Sequence, residues 1–136
     1  MELIKTKPIE LSLKIVMTLI LIQTLFFKFT ASPESVYIFT KLDAEPFGRI
    51  SSGIIELIAS FLVFYHRTKI YGFLLIFGTM TVALLSHIFV LGIVIMNDGG
   101  LLFILGSFCF IVSGYFCFKY KNDFTPFIKP IKKNGL

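Results

Sequence analysis

Gly48–Tyr65 reads GRISSGIIELIASFLVFY and sets one carboxylic acid, Glu56, inside a segment that otherwise has the character of a membrane span. Read as a helix, Arg49, Ser52 with Gly53, Glu56, and Ala59 with Ser60 recur at three- and four-residue steps and form one stripe. Ile50, Ile54, Leu57, Ile58 and Phe61 cover the remaining surface. A charged or polar group at bilayer depth costs at least ~2.5 to 3.5 kcal/mol on insertion scales, so the stripe is expected to face other helices and not lipid. The acid then has two readings: a functional group, or a carboxyl that hydrogen-bonds a neighbouring helix as packing glue.

The whole chain fits that setting. Its 136 residues are 56% hydrophobic and 15% charged, with a mean hydropathy of +0.87, too apolar for a soluble domain of this size. The composition predicts an all-α integral membrane protein, a four-helix bundle forming a single membrane domain, because there is room for about four spans of ~20 residues and short links. A separate soluble catalytic domain is excluded. The formal net charge of +5 would point to nucleic acid in a soluble protein, but here the basic residues flank apolar runs and explain topology instead. Cys109 and Cys117 lie ~12 Å apart along one predicted helix, too far to join, and no C-x-x-C pair exists. That argues against a thiol oxidoreductase and for small packing residues.

The first span is expected at about 11–29, retained and not cleaved, since no A-x-A site follows it. Lys14 and Lys28 near its ends are expected to snorkel to the headgroups, with Gln23 the polar residue well inside. Residues 30–45 read as the longest connection, polar at TASPES, acidic at LDAE, with VYIF dipping into the interface. The second span is placed at about 46–65, with Pro46 in its first turn and Asp43 and Glu45 at its positive end. His66–Lys69 makes a short basic link, so the second and third spans form an antiparallel hairpin. Counting from that turn puts Glu56 level with Thr79–Thr81, and His87 about 12 Å nearer the membrane surface. The third span is expected at about 70–96, with Gly72, Thr79 and Ser86 as a small-residue seam beside His87. Asp98 lies in the link MNDGG, where its carboxylate can cap the next helix. The fourth span covers about 101–118, and the basic tail 119–136 reads as lying on anionic lipid. Charge asymmetry between the two sides puts both termini in the cytoplasm, making this a multi-pass protein of the cell membrane, the inner membrane in a bacterium.

On that topology Arg49, His87 and Asp98 cluster near the outer mouth, Gln23 lies slightly below, and Glu56 stands near mid-depth. Arginine and histidine donors above an acid can bind the carbonyls of a quinone-like head group while the acid exchanges a proton. No second histidine or acid stands at metal-site spacing, so no metal is expected, and a lone helical histidine is more often structural than a ligand.

These residues also carry a family likeness. The pattern G-R-x-S-x-G-x-x-E-L from Gly48, the L-S-H of Leu85–His87 and the D-G-G-L-L-F of Asp98–Phe103 together resemble the DoxX family of small four-helix membrane proteins. The similarity covers roughly Gln23–Phe118, and Arg49, Glu56, His87 and Asp98 match the family pattern. The family is named for a membrane subunit associated with a thiosulfate:quinone oxidoreductase, and many members have no assigned activity. The likeness implies a four-helix bundle and a link to membrane redox chemistry, though thiosulfate oxidation does not follow from it; with no cofactor motif of its own the chain would need a redox partner protein or a diffusible quinone for any redox catalysis. Whether the chain is itself an enzyme stays open. The competing expectation is a non-catalytic scaffold whose polar groups hold helices together and whose outer loop or tail docks a partner. A transport path would need a homodimer, since no inverted repeat is detectable.

Overall fold

A computed structural model describes residues 8–124. Among them there are helices, turns and no strand. The elements are α1 (Pro8–Phe29), α2 (Pro33–Lys41), α3 (Phe47–Leu62), α4 (Lys69–Ser86) running on into a π-helical turn (His87–Leu91), α5 (Leu101–Lys119) and a terminal 3₁₀ turn (Lys121–Phe124). Three of them, α1, α4 with its π turn, and α5, are long and apolar enough to cross a membrane. The lysines of residues 1–7 and the basic tail beyond residue 124 lie outside the described residues.

The helices pack α1 on α3, α3 on α4, α4 on α5 and α5 back on α1. The core inside this arrangement is Met17 and Leu21 of α1, Ala59 of α3 with Val63 just beyond it, Phe73, Ile76 and Met80 of α4, and Cys109, Val112 and Phe116 of α5. Phe73 and Phe116 stack with centroids 4.6 Å apart, and Phe77 and Phe110 at 4.7 Å. At the same end the ammonium of Lys119, in the last turn of α5, pairs with the buried Glu10 in the first turn of α1, and the Tyr115 hydroxyl donates to Glu10 Oε2 at 2.7 Å. The chain therefore brings the start of α1 and the end of α5 together.

On α3 the three- and four-residue stripe turns inward as its spacing requires. Arg49, Gly53, Glu56, Ala59 and Ser60 are buried, while Ile54, Ile58 and Phe61 are 46, 49 and 65% exposed. Water would not tolerate that outer face, and lipid would.

Three boundaries differ from expectation. The connection 30–45 is not a loop with an interfacial dip: it contains α2, started by the Ser32 side chain accepting from the Ser35 N–H and by Pro33 in the first turn. The helix expected at 46–65 begins at Phe47, with Pro46 just outside it, and stops at Leu62. At 16 residues α3 measures about 24 Å. The third helix does not reach Met96. It ends where Gly92 takes φ +82°, ψ 173°, a region essentially closed to residues with a Cβ. The apolar stretch that follows is a loop whose Ile95 is fully buried.

Candidate functional site

α1 and α3 meet at Gly53, where an added Cβ would come within 2.9 Å of the Phe29 ring. That close approach sets the end of α1 against the polar stripe. Lys28 Nζ donates to Glu56 Oε1 at 3.0 Å, with side chains only 14% and 4% exposed. The expectation that Lys28 snorkels to the headgroups is thus corrected: its ammonium is turned inward onto the acid. A buried carboxylate lowers its cost by taking a full opposite charge at hydrogen-bond distance, and Lys28 is the cation within reach.

Arg49 is placed differently from the rim role expected of it. Its Nε donates to Glu45 Oε2 at 2.8 Å, its Nη2 lies 2.7 Å from the same oxygen, and its Nη1 donates to the Lys28 carbonyl at 2.6 Å. That carbonyl belongs to the last turn of α1, where backbone acceptors lack helical partners and a cation complements the helix dipole. Arg49 is a helix-end clamp and does not line the cavity described below.

His87 opens the π turn and is 6% exposed. Its Nδ1 lies 2.8 Å from the Gly92 carbonyl oxygen, the Gly92 N–H returns a 2.7 Å bond to the His87 carbonyl, and the Phe103 ring stands edge-on at 5.5 Å. Asp98 organises the loop before α5, its carboxylate accepting from the N–H groups of Ile95 (3.0 Å), Gly100 (2.7 Å) and Leu102 (3.2 Å). Partial burial pushes its carboxyl up, but these three donors and the nearby His87 outweigh it and hold Asp98 below the usual carboxylate value.

Between the helices lies a cavity of about 650 Å³, within the usual range for small-molecule sites. Gln23, Glu56, His87 and Asp98 all border it, so of the candidate residues only Arg49 stands apart. Lys28 joins them. The rest of the wall is largely apolar, including Phe27, Ile55, Leu75 and Leu105, with Ser35, Ile38, Phe39 and Leu42 contributed by α2 and the turn after it. Phe27, Ile55 and Leu75, which border the cavity, are 40, 37 and 38% exposed. Gln23 borders this space, is exposed, and its amide has no partner among the described residues.

Sequence reasoning overlooked Lys28 as Glu56's partner, Glu10 as the acid that Lys119 and Tyr115 meet, and the contribution of α2. Opposite charges in adjacent apolar helices were the available signal for the first. Among the described residues no group of three or more His, Cys, Asp or Glu side chains is arranged to hold a metal ion. No protein-family model, curated protein or solved structure matches this chain.

Proposed function

We propose that this chain is a multi-pass membrane protein of the DoxX type, with α3 as a fourth, short span and both ends on the cytoplasmic side, that binds a quinone-like amphiphile in the outer half of its bundle. The observation that carries this reading is the cavity. Its wall is largely apolar, enough for a prenyl or alkyl tail, and the Lys28–Glu56 pair, Gln23, His87 and Asp98 stand among the polar residues that border the same space. Lys28 uses one ammonium hydrogen on Glu56 and can donate another to a head-group oxygen, the role first expected of Arg49. Electron transfer in a redox complex would come from a partner protein.

The test is extraction in mild detergent followed by mass spectrometry of bound lipids and quinones. Wild type should retain a quinone in stoichiometric amount, and Gln23→Leu with Lys28→Met should lose it. Its repeated absence from wild type, or equal retention in the double variant, refutes the proposal.

One set of observations favours a second reading, a non-catalytic scaffold: Arg49, Glu56, Glu10 and Lys119 are all engaged in bonds between helices or at helix ends. That reading predicts that loss of function in variants follows protein abundance. Functional loss at normal abundance and stability decides against it.

A further inference from the structure

The tautomer of His87 is fixed by its surroundings. A carbonyl oxygen can only accept, so the 2.8 Å contact with the Gly92 carbonyl requires the proton on Nδ1. In the neutral ring Nε2 then carries a lone pair and no hydrogen. No described side chain donates to it. Nor is it sealed: among the described residues the buried side-chain polar atom left without a partner is Thr18 Oγ1, so Nε2 keeps contact with open space although His87 is 6% exposed. The space that His87 borders is the cavity. Nearly all of the ring is therefore packed away, held by Gly92 at one nitrogen and set at a steep angle to the Phe103 ring, and Nε2 is an unpartnered, unsealed acceptor on a residue that borders the void.

We infer that His87 selects for a head group that donates a hydrogen bond, a phenolic hydroxyl of the hydroquinone class, over the oxidised quinone, which only accepts. This rests on the reading of the cavity as an amphiphile site and reverses the donor role that the sequence suggests for the histidine. A hydroxyl meets both kinds of partner on the wall, because it can donate to His87 Nε2 and its oxygen can accept from the Lys28 ammonium or the Gln23 amide. A quinone carbonyl facing Nε2 would set two acceptors against each other in an apolar enclosure.

The experiment compares an alkyl-tailed hydroquinone with the quinone of identical tail, titrated anaerobically into the full-length protein in detergent. One net hydrogen bond corresponds to roughly a tenfold difference, so wild type should bind the hydroquinone about tenfold more tightly. His87→Asn keeps an amide donor for the Gly92 carbonyl and has no atom at the Nε2 position. It should bring the two affinities within about twofold of each other. Equal affinities in wild type, or an unchanged preference in His87→Asn, overturn the inference and leave the amphiphile site standing. Binding of neither compound overturns both. If His87→Asn does not fold, ¹⁵N labelling of histidine in wild type answers the same question: Nε2 must shift on adding the hydroquinone and stay fixed with the quinone, and any other pattern refutes the assignment.

Discussion

The pair Lys28–Glu56 makes the sharpest prediction about what holds this protein together. At 3.0 Å an effective interior dielectric near 20 gives a gross attraction of about 5 to 6 kcal/mol, from which the desolvation of both groups must be subtracted. Removing one partner leaves the other group 4% or 14% exposed and uncompensated, which typically costs ~3 to 5 kcal/mol. Lys28→Met should therefore destabilise by about 3 kcal/mol. Glu56→Gln should cost less, about 2 kcal/mol, because the amide oxygen still accepts from the ammonium. The double variant should fall short of the sum by at least ~1.5 kcal/mol, since the second substitution removes a group already without its partner. Reversible unfolding in mixed micelles, measured for all four proteins, gives the coupling directly. Additivity to within about 0.5 kcal/mol would refute the pairing.

Two further outcomes follow from the loop between α4 and α5. Gly92→Ala forces a Cβ into φ +82°, ψ 173°, so the same unfolding measurement should show a loss of about 1 to 3 kcal/mol. The histidine ¹⁵N spectrum of that variant should also show His87 released from its fixed tautomer. For Asp98 the folded carboxyl lies below its ordinary value of 3.8, so its stabilisation is fully present above that value. The contribution is lost as pH falls through the lower folded value, because the unfolded chain then binds more protons. Asp98→Asn should be less stable at neutral pH and should lose less of its stability on acidification below about pH 4. Parallel acid profiles for variant and wild type would contradict this.

The inward stripe of α3 was legible because a helix repeats every 3.6 residues and lipid rejects polar atoms, so the positions of Gly53, Glu56 and Ser60 settle which side faces protein. The partner of Glu56 was not legible in the same way. Snorkelling treats each long cation alone at a helix end, whereas Lys28 is directed by where α1 stops relative to α3, a tertiary distance with no local signature. α2 carried a readable start signal in Ser32, Pro33 and Glu34, but the surrounding polarity looked like a loop. The overrun of the third helix has a different cause. Ile93, Val94 and Ile95 are as apolar as helix residues, and hydropathy does not separate an apolar loop from a span. Gly92 was the mark of the stop. The site was legible residue by residue, and convergence was not: Gln23, His87 and Asp98 share a cavity through packing, while Arg49, equally suggestive in sequence, is consumed at the end of α1.

Lys28 is gripped twice by one neighbour, its side chain by Glu56 and its backbone oxygen by Arg49, seven positions apart along α3. Sliding α1 by a single turn, about 5.4 Å, or swivelling it by one residue, would undo both grips at once. Among acyl chains, where greasy surfaces exchange neighbours at little cost, such a double latch does what a hydrophobic seam cannot: it gives α1 one depth and one azimuth.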